Sequence, residues 1–159
     1  MLMMNRKDQS GVSLIEVLIS LLILGIGILG AAALQLNALK YTDSSTRNSQ
    51  ASFIAYDMMD RIRANPDVNY ALGGIASAPT SGDLNVPRTQ DWFDFATNVR
   101  NMGGTDGSIL VNGKVVTINI TWDDSRAAGA RTADQTNAGQ ASSQTFALVS
   151  RVAGDVVTQ

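Results

Sequence analysis

The feature that most constrains this chain is a long apolar segment near its amino terminus, GVSLIEVLISLLILGIGILG, at residues 11–30. Residues 17–39 contain no charged side chain, and about 20 apolar residues are enough for a helix to cross a bilayer. Glu16 lies inside this segment, although an acidic side chain in hydrocarbon costs about 2.5–3.5 kcal/mol. Intramembrane carboxylates are usually kept because another group pairs with them. The segment therefore predicts a membrane helix in which Glu16 has a partner.

The residues before the apolar segment carry positive charge at Arg6 and Lys7. Basic residues on this side of a membrane helix keep that end in the cytoplasm, so the rest of the chain is expected on the far side. Three interpretations fit this flank. The segment is a secretory signal peptide cleaved after the alanines at 31–33, a plain single-pass anchor, or a helix whose short leader is cleaved before the apolar residues begin.

Glu16 favours the third interpretation. Cleavage between Gly11 and Val12 would give Val12 a cationic amino group close in depth to the Glu16 carboxylate. Between two subunits staggered along a filament, that amine and that carboxylate could form an ion pair. A signal peptide or a plain anchor gains nothing comparable from an acidic residue.

The junction Gly11-Val12-Ser13-Leu14-Ile15-Glu16-Val17 resembles the leader junction of type IV prepilins and type II secretion pseudopilins. The resemblance implies that a prepilin peptidase cleaves after Gly11 and methylates the new amino terminus at Val12. It also implies that Glu16 is the carboxylate used in assembly. The family usually has Phe or Met where this chain has Val12. Removal of residues 1–11 would take away Arg6 and Lys7, whose charges oppose movement of the helix out of the bilayer.

Three glycines interrupt the apolar segment, at Gly25, Gly27 and Gly30. Each costs about 1 kcal/mol relative to Ala in a water-soluble helix, although membrane helices contain more Gly in general. They are predicted to give this part of the helix flexibility or to permit close approach of a second helix.

The helix is predicted to continue from about residue 13 to residue 64. Asp57 and Arg61, four residues apart, are expected to pair on its surface. Asn65-Pro66 marks its end, because the residue before proline disfavours the helical conformation. Apolar residues keep helical spacing throughout the second half, at Ala51, Ile54, Ala55, Met58, Met59 and Ile62.

Residues 66–90 are rich in Pro, Gly, Ala, Ser and Asn and predict a surface loop. The following segment, TQDWFDFATNVRNM, predicts a short helix capped by Thr89 or Asp91 and ended by Gly103 and Gly104. SILVNGKVVTINITW predicts a hairpin with a type I′ turn at Asn112-Gly113. A third strand is expected at Thr145 to Val152, and one face of this small antiparallel sheet is expected to be buried against the long helix.

Composition excludes several classes of function. The chain has no Cys and no His, so zinc sites built on those residues, thiol nucleophiles and Ser-His-Asp triads are absent. No enzymatic activity, metal or cofactor is predicted. Asp123, Asp124 and Asp134 lack EF-hand spacing and are interpreted as residues of a mobile surface loop at about 125–144. The net charge is -2 with no long basic run, so direct nucleic-acid binding is not expected.

Taken over most of its length, the chain resembles type IV pilins, and within them the PilV-type minor pilins. The resemblance implies an α+β type IV pilin fold, in which a long amino-terminal helix with a transmembrane first half packs on a small antiparallel β-sheet head. The expected divisions are a cleaved leader (1–11), a transmembrane and filament-core helix (12–39), its periplasmic continuation (40–65) and the head (66–159).

The same resemblance implies a subunit that supports pilus assembly or priming, with roles in twitching motility, adhesion or DNA uptake. Its expected partners are other minor pilins, the major pilin, the prepilin peptidase, the inner-membrane assembly platform and the lipid bilayer. It would be a single-pass inner-membrane protein with a periplasmic head before assembly, and would lie in the pilus at the cell surface afterwards. Two alternatives stay open: a minor pseudopilin of a type II secretion system, and an exported periplasmic binding domain with a conventional signal peptide.

Overall fold

The computed structural model describes residues 13–125 and 143–152. The chain divides into two compact units, residues 1–39 and residues 40–159, which are treated separately below. The predicted leader residues Arg6 and Lys7 and the predicted junction Gly11-Val12 lie outside the described residues. So does most of the loop predicted at about 125–144, including Asp134.

In these two described ranges, the secondary structure consists of two α-helices and three strands in the order ααβββ. The helices are α1, Leu14–Ala64, and α2, Pro87–Asn101. The strands are β1, Gly104–Asn112, β2, Val115–Asp123, and β3, Ser143–Arg151. A short 3-10 turn, Ile75–Ser77, lies between the helices. The predicted end of the long helix before Asn65-Pro66 matches the end of α1.

In the first unit, residues 13–39 are all exposed. An 18-residue window of α1 has a mean hydropathy of 2.7, and none of it is buried. Among the described residues, α1 is the one helix long and apolar enough to cross a membrane. A helix that is apolar on all sides needs a membrane or other protein around it.

In the second unit, α1 is amphipathic and contributes one face to the core. The predicted Asp57–Arg61 pair forms on its surface, with Asp57 Oδ2 3.0 Å from Arg61 Nε. Ile54 lies at the edge of the core. The buried positions have helical spacing, at Ala51, Ala55, Met58, Met59 and Ile62.

The sheet is antiparallel, with β2 between β1 and β3. Side chains of β2 alternate strictly between the two faces, and Val116, Ile118, Ile120 and Trp122 are buried in the same cluster as the buried face of α1. The predicted α+β class, a long helix packed on a small antiparallel sheet, is therefore confirmed. The third strand begins two residues earlier than predicted and ends one residue earlier.

The prediction of a type I′ turn at Asn112-Gly113 is wrong. Asn112 pairs with Val115, so the two residues of the turn are Gly113 and Lys114. Gly113 has a φ of +55°, and no residue other than glycine has a positive φ in the described part of the chain. A turn with positive φ at its first central residue alone has the pattern of type II′, for which glycine is preferred at that position.

The start of α2 also differs from the prediction. The helix begins at Pro87, and the residue that precedes it, Val86, makes no side-chain capping hydrogen bond. Neither Thr89 nor Asp91 is the cap. Proline is well suited to the first helical position, because its missing N–H would have no partner there and its φ is already helical.

Part of the segment 66–90 is buried, unlike the surface loop predicted there. Tyr70 is fully buried, and Leu72, Ile75 and Ala78 belong to the same core. Leu72 and Ile109 exchange two backbone hydrogen bonds, at 2.8 and 2.9 Å, so the loop extends the pairing at β1. The prolines and glycines of this segment indicated irregular backbone correctly, but not its burial.

Candidate assembly site at the start of the amino-terminal helix

The predicted assembly carboxylate, Glu16, lies in the first turn of α1. Its backbone N–H donates to Ser13 Oγ at 3.3 Å, and Ser13 directly precedes the helix. Ser13-Leu14-Ile15-Glu16 thus has the S-x-x-E sequence of a capping box, with Ser13 at the N-cap and Glu16 three residues later. The sequence interpretation missed this cap, although the motif itself was the available signal.

The position of Glu16 is electrostatically favourable for the helix. A negative charge in the first turn interacts with the positive end of the helix dipole, typically by about 0.3–1 kcal/mol. Within residues 13–125 and 143–152, no hydrogen bond or ion pair of its carboxylate is found, and the residue is exposed. The Ser13 cap uses only the backbone N–H of Glu16, so it does not account for the Glu16 side chain. The interaction with the helix dipole offsets less than half of the roughly 2.5–3.5 kcal/mol that a charge costs in hydrocarbon, so most of that cost is left without compensation.

Ser20 lies one turn further along the helix. Its hydroxyl donates to the backbone carbonyl of Glu16 and also approaches the carbonyl of Val17 at 3.2 Å. Such bonds to the preceding turn satisfy a hydroxyl in an apolar helix without an external partner.

The three glycines of this segment make no close contact within the chain. A Cβ atom added to Gly25, Gly27 or Gly30 would have no heavy atom within 4 Å. Their presence is therefore not explained by packing within the subunit. A role in flexibility, or in contact with another helix, stays a prediction.

A cluster of charged side chains in the second unit was not anticipated beyond the Asp57–Arg61 pair. Arg61 Nη1 lies 2.8 Å from Asp91 Oδ1 and 3.0 Å from Asp94 Oδ2, so α1 is joined to α2. The hydroxyl of Tyr70 donates to Asp91 Oδ2 at 2.8 Å. Asp91 is 21 residues from Tyr70 and 30 residues from Arg61 in the sequence, so no local sequence pattern predicts these contacts.

Two pKa values reflect this cluster. Burial, together with the hydrogen bond and the negative charge of Asp91, raises the pKa of Tyr70 to about 12. Burial by itself lowers the pKa of Arg61, but the hydrogen bonds to Asp91 and Asp94 and the charge of Asp57 outweigh it and raise the pKa above its ordinary value. At neutral pH, these shifts keep the Tyr70 phenol neutral and Arg61 charged, which is suited to a structural role.

Two of the three aspartates tested above against EF-hand spacing, Asp123 and Asp124, have hydrogen-bond partners within the described part of the chain. Asp123 Oδ1 accepts the N–H of Ser125 at 2.8 Å, and Asp124 Oδ2 accepts the hydroxyl of Ser44 at 2.9 Å. In the ranges that the structure describes, no group of three or more His, Cys, Asp or Glu residues could hold a metal ion.

Comparison with known families gives two adjacent matches. Residues 6–32 match the family model for the prokaryotic N-terminal methylation motif, and residues 33–81 match the family model for type IV pilin Tt1218. No curated protein and no solved structure matches the chain.

These matches and the fold support a type IV pilin. The class consists of structural, non-enzymatic subunits that interact with other pilins and with the pilus machinery. The methylation motif and the apolar part of α1 fit a membrane-anchored member of it.

Proposed function

We propose that this chain is a minor pilin of the PilV type that contributes to the assembly or priming of a type IV pilus. The observation that carries the proposal is the position of Glu16. It is an exposed acid in the first turn of a helix that is apolar on all sides, inside the segment that matches the methylation motif.

In this proposal, residues 1–11 form the leader, and Arg6 and Lys7 hold its end at the cytoplasmic face of the inner membrane. Residues 12–39 form the transmembrane and later filament-core helix, residues 40–65 its periplasmic continuation, and residues 66–159 the periplasmic head. Cleavage after Gly11 removes the two cations, and the subunit can then leave the bilayer for the pilus at the cell surface.

Cleavage also creates a cationic amine at Val12, and Glu16 of a neighbouring subunit can pair with it. The new amine of Val12, methylated by the prepilin peptidase, is a cation at the positive end of the α1 dipole, where cations are disfavoured. A carboxylate from the helix of a neighbouring subunit neutralises this amine and is itself neutralised. Two charges that are each costly in an apolar core then enter it as a pair.

The expected partners are other minor pilins, the major pilin and the inner-membrane assembly platform. Roles in twitching motility, adhesion or DNA uptake follow from a pilus that contains this subunit. The chain is proposed to have no catalytic activity, no cofactor and no direct contact with nucleic acid.

The first experiment is mass spectrometry of the mature amino terminus. We expect a chain that starts at methylated Val12. In a Gly11→Glu variant, we expect the uncleaved chain to accumulate in the membrane. A mature chain that starts after Ala33 would contradict the proposal and would identify a conventional signal peptide.

The second experiment separates the charge of Glu16 from its place in the capping box. Glu16→Gln keeps a residue that suits the capping box but loses the charge, whereas Ser13→Ala loses the cap and keeps the charge. We expect Glu16→Gln to be processed normally but to be lost from sheared pili by at least tenfold, with Ser13→Ala close to the parent chain. Equal losses in the two variants would assign Glu16 to capping alone. If deletion of the chain abolished secretion and left pili intact, the subunit would be a pseudopilin.

A further inference from the structure

A cleft in the second unit lies between residues 41–48 of α1 and the strands β2 and β3. It has a volume of about 390 Å³. Ligand pockets range from about 300 to 1,000 Å³, so this one lies near the lower limit and suits a small ligand. The residues that define its chemistry are Tyr41, Ser44 and Asn48 on the helix side and Trp122, Gln144 and Phe146 on the sheet side.

The lining combines aromatic rings with uncharged hydrogen-bonding groups. Among the described residues, none that lines the cleft is charged. The carboxylate of Asp124 is buried and accepts the hydroxyl of the lining residue Ser44, so it does not present a free charge to the cleft. A metal ion, a phosphate or a carboxylate would therefore find no counter-charge among the described lining residues. An apolar ligand would leave the amides of Asn48 and Gln144 without partners.

Trp122 supplies the second observation. It is 3% exposed, and its indole Nε1 is a buried donor with no hydrogen-bond partner among the described residues. The other indole of the chain, Trp92, donates to the carbonyl of Tyr70 at 3.2 Å. An unpaired buried donor costs about 1–3 kcal/mol, so an acceptor that reached Trp122 would recover that free energy.

We propose that this cleft binds a neutral saccharide of one or two rings. A sugar ring presents C–H groups that pack against aromatic side chains such as Tyr41 and Phe146. Its hydroxyl groups both donate and accept, which matches the amides of Asn48 and Gln144. Binding requires the Trp122 indole to turn toward the ligand before its Nε1 can donate to a sugar oxygen, because that nitrogen is shielded from solvent.

The test uses the full chain in a detergent that contains no sugar, and its fluorescence as the readout. The chain has two tryptophans, so Trp92→Phe leaves Trp122 as the single indole. Glucose, galactose, mannose and N-acetylglucosamine, with their disaccharides, are the probes. We expect at least one of them to change the Trp122 emission with saturation.

Two variants made in the Trp92→Phe background check the location. Gln144→Ala removes an amide from the cleft and should weaken binding at least tenfold, whereas Asn98→Ala removes an amide from α2 outside the cleft and should not. Thermal unfolding of each variant checks that it is folded. Saturation-transfer NMR on a Trp122→Phe variant, with Trp92 retained, should show weaker transfer to the sugar.

Three results would overturn the inference. The first is the absence of any saturable response to every probe by both methods. The second is equal binding by the Gln144→Ala and Asn98→Ala variants. The third is a Trp122 indole proton that is hydrogen-bonded to an ordered water and unaffected by sugar. Filament incorporation is not measured in any of these experiments, so their failure leaves the assembly role of Glu16 untouched.

Discussion

The Arg61 guanidinium donates to one oxygen of the Asp91 carboxylate at 2.8 Å, while the hydroxyl of Tyr70 donates to the other at 2.8 Å. Asp91 is 8% exposed, so water is a poor substitute for either donor. Asp91 of α2 thus binds α1 through one carboxylate oxygen and the segment after Pro66 through the other. The contact joins three parts of the second unit that are distant in sequence.

Removal of Arg61 should destabilise the second unit clearly. Arg61→Ala leaves Asp91 buried without its cation, and loss of one partner of a fully buried pair costs about 3–5 kcal/mol. The Arg61 side chain is 33% exposed, so solvent screening lowers our expectation to about 2 kcal/mol. Urea unfolding followed by circular dichroism measures the change.

Arg63→Ala is the matched control for that variant. Arg63 lies on the same turn of α1, and its pair with Asp60 is more exposed, with side chains 46% and 72% accessible. Exposed pairs contribute about 0–1 kcal/mol, so the control should lose less stability. Equal losses would mean that the buried carboxylate of Asp91 does not depend on Arg61.

Stability should fall at alkaline pH in a way that depends on Tyr70. Its pKa is about 12 in the folded chain and 10.0 when unperturbed. Between these values the unfolded chain releases the phenol proton and the folded chain keeps it. The contribution of Tyr70 to the free energy of unfolding is therefore complete below pH 10 and is lost as the pH rises to about 12.

Comparison of Tyr70→Phe with Tyr56→Phe isolates that contribution. Tyr56 is 53% exposed, so its replacement should leave the alkaline loss of stability as it is in the parent chain. Tyr70→Phe should have a shallower decline over this pH range and lower stability at neutral pH, because Asp91 loses a donor. An unchanged alkaline decline in Tyr70→Phe would assign it to other groups.

Elements with a local signal could be predicted from the sequence. The spacing of Ala51, Ala55 and Met58 identified the buried face of α1. The apolar residues at every second position from Val116 to Trp122 likewise indicate the buried face of β2. The Ser13-x-x-Glu16 motif also predicts the helix cap that the structure contains, although the sequence interpretation did not include it.

Long-range features could not be predicted in the same way. Burial of Tyr70 depends on where α2 and β1 lie in space, and Asp91 has the local appearance of a helix cap although it is a partner of Arg61. The turn shows how a local rule can fail by one residue. Asn112-Gly113 fits the type I′ preference, but the pairing of Asn112 with Val115 places Asn112 in the strand.

The observed turn predicts different costs for two neighbouring substitutions. Gly113 has a φ of +55°, which an L-residue with a Cβ adopts at a cost of about 1–2 kcal/mol. Gly113→Ala should therefore lower the free energy of unfolding by about 1 kcal/mol, whereas Asn112→Ala, at a strand position with negative φ, should change it by less than about 0.5 kcal/mol. A loss for Asn112→Ala as large as the loss for Gly113→Ala would support a type I′ turn centred on Asn112-Gly113, in which both central residues have positive φ.

Replacement of the three membrane-segment glycines tests whether they soften the helix. A Cβ at Gly25, Gly27 or Gly30 meets nothing within 4 Å, so a triple change to Ala introduces no clash inside the subunit. Ala is favoured over Gly by about 1 kcal/mol per position in a helix. Amide hydrogen exchange of the full chain in detergent should therefore slow at residues 25–30, while stability of the second unit stays the same.

The same triple variant distinguishes flexibility from close helix contact during assembly. If flexibility is what matters, Ala32→Gly, which adds a glycine beside the segment, should partly restore incorporation into pili that the triple variant loses. If a second helix approaches the glycines closely, the three new methyl groups stay in the contact and Ala32→Gly restores nothing. Normal incorporation of the triple variant would refute both roles. The three glycines would then be explained by the general frequency of Gly in membrane helices.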